Sequence, residues 1–177
     1  MDVRPDTYCI DEKAIEKKLT AKTKAIMAVH LYGQTADMDP ILELSRKKGI
    51  PILEDCAQSI GAKYKGRPAG GLGTIGATSF YPTKNLGGAG DGGLVTTNDD
   101  QLARTALLMR QHGMPKRYTY ELRGLNSRLD SLQCAYLHLK LPHLKKWNDR
   151  RAWIANYYIK SLKDLESKGL ILPFVAP

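Results

Sequence analysis

Apolar and polar positions along the chain alternate between helix-like and strand-like stretches. Residues 11–19 place Asp11 and Glu12 at the start and Lys17 and Lys18 at the end of a polar segment around Ile15. That order suits the dipole of a short helix. Residues 25–31, Ala-Ile-Met-Ala-Val-His-Leu, are almost continuously apolar. Such a run predicts a strand buried on both faces, as in a parallel sheet. Tyr32-Gly33 ends it. Asp39-Pro40 predicts an N-cap with proline at the first helical position, opening a helix that stops at Gly49. A second buried strand, residues 50–53, runs into Glu54-Asp55. Strand, helix and strand with short connections make a βαβ unit, whose crossover is right-handed. Open α/β sheets take their ligands at the carboxyl ends of the strands, and Asp55 sits at such an end.

Beyond this unit the pattern becomes turn-rich. Residues 62–76 predict a small hairpin. Residues 77–81 and 94–97 predict two further strands with a loop between them. A helix covers roughly 100–111 and is ended by His112-Gly113, and a polar loop follows over 114–123. Asn126 or Ser127 can cap a long helix that continues toward Lys140, where Pro142 breaks or kinks it. A last helix covers about 143–165. The fold class is therefore α/β, a mostly parallel sheet flanked by helices and followed by long C-terminal helices.

Composition narrows the function classes. The chain has 177 residues, 42% hydrophobic and 25% charged, enough for one medium domain with a core. No apolar run reaches membrane-spanning length, and the first residues lack the basic-then-apolar layout of a secretory signal. Cys9, Cys56 and Cys134 suggest neither a disulfide framework nor a zinc pattern. They read as reduced thiols, which implies a cytoplasmic protein. His112, His138 and His143 also lack metal-ligand spacing, so no metal is expected. The formal charge is +9, which favours anionic partners, either nucleic acid or small ligands such as nucleotide diphosphates. The basic residues His138, Lys140, His143, Lys145, Lys146, Arg150 and Arg151 are interleaved with Leu137, Leu139, Leu141, Leu144, Trp147 and Trp153. That spacing reads as the solvated face of an amphipathic helix rather than a nucleic-acid surface. His30, at a strand end, either lines a site or is buried against backbone.

Candidate chemistry concentrates in residues 76–98. The strand over 77–81 delivers Ser79 and then Lys84 into a loop holding Gly87, Gly88, Gly90, Gly92 and Gly93. Glycine opens φ > 0 and removes side-chain bulk, so something can approach this lysine closely. Gly71-x-Gly73-x-x-Gly76 and Gly88-x-Gly90-x-x-Gly93 both have dinucleotide spacing, but each leads into a strand, whereas that motif must open a helix.

The run Ser-Phe-Tyr-Pro-Thr-Lys-Asn-Leu-Gly…Gly-Asp-Gly-Gly resembles the lysine loop of the DegT/DnrJ/StrS family of pyridoxal-phosphate (PLP) sugar aminotransferases. Val-His-Leu-Tyr-Gly, Glu-Asp-x-Ala-Gln and Asn-Ser-Arg-Leu-Asp match in the same order, so the resemblance covers essentially the whole chain. It implies the PLP-dependent transferase fold (aspartate aminotransferase-like, fold type I), here incomplete. Residues 1–141 would be the central part of the PLP-binding large domain, and 142–177 a helical segment leading toward a small C-terminal domain. Family members also begin earlier, with a Gly-Thr phosphate loop and an aromatic that stacks on the ring. Without them, the chain alone is expected to bind PLP weakly and turn over slowly or not at all.

The resemblance also implies residue roles. Lys84 would hold PLP covalently and move protons during amino transfer. Asp55 would face the pyridine nitrogen, Gln58 would hydrogen-bond or cover the ring near its phenolic oxygen, and Ser79 would bind the phosphate. Asn126 would reach the phosphate in the neighbouring subunit of a homodimer with shared active sites. Each residue also has an ordinary reading: a solvated loop lysine, a capping aspartate, a strand serine, an N-cap asparagine. The implied reaction moves an amino group from glutamate or a similar donor to a keto-sugar carried on a nucleoside diphosphate. The competing reading is a non-catalytic fragment or binding module that keeps the fold.

Overall fold

A computed structural model describes residues 2–176. Helix α1 (Glu12–Lys18) starts at Asp11, whose side chain accepts from the Lys13 amide. Strand β1 (Ile26–Val29) leads through a 3₁₀ turn at Leu31–Gly33 to helix α2 (Met38–Lys48), which Gly49 ends in the left-handed conformation. Strand β2 (Ile52–Asp55) lies parallel to β1, with Ile26 opposite Ile52 and Val29 opposite Asp55. The predicted βαβ unit is therefore present. Strands β3 (Lys63–Tyr64) and β4 (Arg67–Pro68) form the small hairpin. Strand β5 (Ile75–Ser79) pairs parallel to β2, and β6 (Gly93–Thr96) returns antiparallel to β5. The main sheet has four strands in the order β1-β2-β5-β6. Helices α3 (Asp100–Arg110), α4 (Ser131–Lys140) and α5 (Leu144–Ser161) follow.

The α2 cap lies two residues earlier than Asp39-Pro40 predicts. Asp37 is the N-cap residue, but its carboxylate makes no capping bond. It accepts instead from the Tyr64 hydroxyl at 2.6 Å, and that hydroxyl accepts from the Asp39 amide at 3.1 Å. A tyrosine from the hairpin thus satisfies a donor that a cap would otherwise take. The start of α4 also differs from expectation. Neither Asn126 nor Ser127 caps it; Asp130 does, accepting from the Leu132 amide at 2.9 Å. Residues 126–130 lie outside the helix, and Asn126 forms an antiparallel bridge with Gln111. Pro142 lies in a 3₁₀ turn between α4 and α5, where its missing amide costs no helical bond.

Successive strand residues face opposite sides of the sheet. Ile26, Ala28, Ile52 and Glu54 point to one face and are buried, packed with Ile15 of α1 and Met38 and Ile41 of α2. Met27, Leu53, Asp55, Ala77 and Val95 point to the other face. Met27 is 56% exposed and Val95 52% exposed, so β1 is not buried on both sides as its apolar run predicts. Among the described residues helices α1 and α2 cover one face, and β1 lies at the edge of the sheet. A second apolar cluster, Phe80, Leu86, Leu137 and Leu144 with Ile60 and Leu129, fastens α4 and α5 to the loop after β5.

Candidate active site

Strands β1, β2 and β5 run parallel, so their carboxyl ends share one edge of the sheet. The segments leaving that edge enclose a cavity of about 580 Å³. Tyr32 and Gly33 come from β1, residues 57–62 from β2, and Thr83, Lys84 and Asn85 from β5; Asn148, Arg151, Ala152 and Ala155 of α5 close the remaining side. This volume lies within the range of small-molecule sites, at the position where open α/β sheets bind ligands. Lys84 and Asn85 also border a neighbouring cavity of about 410 Å³ lined by Lys140, Trp147, Arg150 and Arg151. The basic residues of α4 and α5 are therefore not all a solvated face. Lys140 donates to the Gly87 carbonyl and lies over the Tyr136 and Trp147 rings.

Of the sequence-predicted site residues, Lys84 and Gln58 line the larger cavity together. Lys84 is half-buried, and its amide is bound to the Tyr81 carbonyl in a turn. The Gln58 Oε1 accepts from the Tyr32 amide at 3.0 Å. That bond orients the side chain and leaves its Nε2 to donate elsewhere. Tyr32 itself has φ 57°, an uncommon backbone for an aromatic residue.

Asp55 and Ser79 do not line this cavity. They occupy the last positions of β2 and β5, half-buried, on the open face of the sheet. Asp55 is opposite Ala77, and Ser79 is two residues farther along the same face. The Asp55 Oδ1 accepts from the Ala57 amide at 2.9 Å, which turns the chain toward Gln58. The Ser79 Oγ accepts from the Tyr81 amide at 3.2 Å, leaving its own O–H to donate. Asn126 is exposed, away from both cavities, and its Oδ1 accepts from Arg128.

The five glycines of the lysine loop work differently from expectation, since none of them has a positive φ. They are small because the chain is crowded. A Cβ on Gly88 would stand 2.8 Å from the Gln133 Oε1, and one on Gly92 2.7 Å from the Leu129 Cδ1. The loop presses against residues of α4 and of the segment just before it, rather than turning in the left-handed region.

Beneath the site, His30 and Glu54 are completely buried. The His30 Nδ1 accepts from the Ala36 amide at 3.1 Å, so its Nε2 carries the proton and donates to Glu54 at 3.0 Å. Glu54 also accepts from the amides of Gly70, Leu72 and Gly73 at 2.8, 2.7 and 2.6 Å. Burial pushes this carboxyl up, but the bonds from His30, Gly73, Gly70 and Leu72 outweigh it and hold the group below its ordinary value. His30, Glu54 and Cys56 lie within metal-ligand distance of one another. Both ring nitrogens and both carboxylate oxygens are nevertheless occupied by these hydrogen bonds, so the cluster is a structural clamp. Burial pushes the Cys56 thiol up to about 11. His30 is therefore bound to backbone, with Glu54 as its second partner.

Sequence reasoning passed over Glu54, Asn85 and Asn148. For Glu54 a signal was available, because a residue next to Asp55 in a strand must face the opposite side, into the core. Asn148 carried none, since an asparagine on a polar helix looks like any other.

This arrangement is that of an α/β domain with the PLP-dependent aminotransferase fold. Over 99% of its length the chain superposes on the crystal structure of DesV from S. venezuelae in complex with a ketimine intermediate, with a TM-score of 0.92 and 43% identity, covering 47% of that protein. Residues 1–173 match the DegT/DnrJ/EryC1/StrS aminotransferase family, and the chain belongs to it. It is 45% identical to a pleiotropic regulatory protein of Geobacillus stearothermophilus over 98% of the chain and 46% of the relative. It is also 45% identical to the dTDP-3-amino-3,4,6-trideoxy-alpha-D-glucose transaminase of Streptomyces venezuelae, over 97% of the chain and 45% of the relative. The chain thus spans about half the length of the curated relatives it matches.

Proposed function

We propose that the protein transfers an amino group from glutamate or a similar donor to a keto-sugar carried on a nucleoside diphosphate, with PLP as cofactor. The observation that carries this reading is the shared cavity of Lys84 and Gln58 at the carboxyl edge of three parallel strands, in a chain of an aminotransferase family. The donor set suits PLP: an amine, a carboxylate, a carboxamide and a hydroxyl border one edge of the sheet. When bound, PLP supplies a ring that takes up the electron pair released at the amino-acid α-carbon.

Lys84 holds the cofactor and carries the proton that leaves and returns to the reacting carbon. Asp55, whose second carboxylate oxygen is left free by the bond to Ala57, would pair with the pyridine nitrogen and keep it protonated. Gln58 donates its Nε2 to the phenolic oxygen. Ser79 donates its hydroxyl to the phosphate. Asn126, exposed and outside both cavities, serves the phosphate of a second subunit in a homodimer. Residues 1–141 belong to the large PLP-binding domain, and 142–177 lead toward a smaller one.

The test is amino transfer in the full chain with Lys84→Ala and Asp55→Ala. Lys84→Ala abolishes transfer. Asp55→Ala slows proton removal far more than it weakens cofactor docking. Full activity of Lys84→Ala rejects the mechanism, and equal loss of rate and docking in Asp55→Ala reduces Asp55 to a structural residue. A second reading, a binding module without catalysis, draws on the likeness to the regulatory protein. It requires wild-type protein that holds its sugar ligand yet shows no transfer with any amino donor.

A further inference from the structure

The two loops that carry Lys84 and Gln58 are joined by one side chain from α5. The Asn148 Nδ2 donates to the Ile60 carbonyl at 2.9 Å, and its Oδ1 accepts from the Asn85 Nδ2 at 2.8 Å. Ile60 lies two residues after Gln58, and Asn85 directly follows Lys84. A carbonyl can only accept, so the Asn148 nitrogen must face Ile60 and its oxygen must face Asn85. Both ends of the carboxamide are used, and its orientation is set. Gly61 passes so close that a Cβ there would lie 2.9 Å from the Asn148 Nδ2. Two further ties hold the lysine loop, Ala89 to Gln133 and Lys140 to Gly87. Both come from α4 and reach that loop alone. Of these three ties, the Asn148 bridge is the one that also holds the loop after β2.

We propose that Asn148 is a positioning residue: it sets the spacing between the Lys84 loop and the Gln58 loop, and so places the amine relative to the group it serves. The proposal rests on the reading of Lys84 given above. Asn148 borders the cavity, but both polar ends of its carboxamide are taken up by Ile60 and Asn85. Its loss lets Lys84 drift from its place without removing any substrate contact that it makes. A misplacement of about 1 Å costs on the order of a hundredfold in rate.

The experiment uses the full chain with PLP and Asn148→Asp. Aspartate still accepts from Asn85 but turns a carboxylate oxygen onto the Ile60 carbonyl, which it repels. Expected is a fall in kcat of about a hundredfold with KM for the amino donor changed by less than about threefold. Amide hydrogen exchange should quicken about tenfold over residues 58–62 and 83–86 and stay unchanged in β1 and β2. A kcat within about threefold of wild type, or unchanged exchange in both loops, overturns the proposal. Should Asn148→Asp not fold, Asn85→Ala removes one of the two bonds and must give a smaller fall with the same split of kcat from KM; loss in KM alone overturns it. Lys84→Ala separates the two ideas. If that variant still forms a borohydride-trapped PLP adduct, the reading of Lys84 falls and the proposal with it. If the adduct is lost while Asn148→Asp behaves as wild type, the positioning role alone falls.

Discussion

Replacing Glu54 by glutamine tests whether the buried clamp under the site is held as the geometry indicates. The carboxylate accepts four hydrogen bonds, two on each oxygen: His30 and Gly70 on Oε2, Leu72 and Gly73 on Oε1. Glutamine keeps one acceptor and turns two donors toward the other pair of donors, whichever way it is flipped. His30 cannot relieve the clash by changing tautomer, because its Nδ1 already accepts from Ala36. Two charge-assisted bonds are lost at about 1.5–3 kcal/mol each. Breaking a buried charged network in this way costs about 3–5 kcal/mol. In a chain of 177 residues that lowers the melting temperature by roughly 10 °C. Thermal and urea unfolding followed by circular dichroism at pH 7 measures it.

The acid limb supplies an independent check. The folded state holds the Glu54 carboxyl below its ordinary 4.5. Its contribution is therefore complete above that value and is lost as pH falls through the folded value. Wild type should lose stability below about pH 4.5 faster than Glu54→Gln does. A variant less than about 1 kcal/mol weaker at pH 7, with an acid limb parallel to wild type, refutes the account of the clamp.

Three further outcomes follow from the same geometry. Gly88→Ala meets the Gln133 Oε1 at 2.8 Å and should destabilise by about 1–3 kcal/mol through overpacking; since Gln133 also ties the Ala89 amide, the double variant with Gln133→Ala should lose less in urea unfolding than the two single losses added together. Thiol titration of the native chain at pH 8 should show Cys134, which is exposed, reacting first. Cys56, buried and pushed up to about 11, should react only on unfolding. Gln58→Ala removes the oxygen that holds the Tyr32 amide, so amide exchange at Tyr32 should quicken while β1 stays protected.

Much of the fold could be read from local pattern. The apolar runs before His30 and Glu54 located β1 and β2, and Gly49 stopped α2 where expected. What escaped was decided by partners far along the chain. Tyr64, from a hairpin, took over the Asp37 carboxylate and moved the α2 cap. Asp130 captured the start of α4 because Asn126 was drawn into a bridge with Gln111 and the Ser127 amide into a bond with the Arg110 carbonyl. Met27 is exposed among the described residues because α1 and α2 cover the opposite face of the sheet, a matter of packing that the strand's own composition does not carry. In the candidate site, the lysine loop was recognisable as a motif, yet the purpose of its glycines was not. The crowding of Gly88, Gly90 and Gly92 against Gln133 and Leu129 exists only once α4 and the segment before it are in place. Asn148 was invisible for the same reason, since its partners lie 63 and 88 residues away.

The central claim is that Lys84 is the cofactor lysine. It is tested most directly by incubating the full chain with PLP, reducing with borohydride, digesting, and locating the pyridoxyl mass by peptide sequencing. The account predicts the added mass on the lysine of Tyr-Pro-Thr-Lys-Asn, residue 84, and its disappearance when an amino donor is supplied first. A pyridoxyl group on another lysine, with residue 84 unmodified, contradicts it.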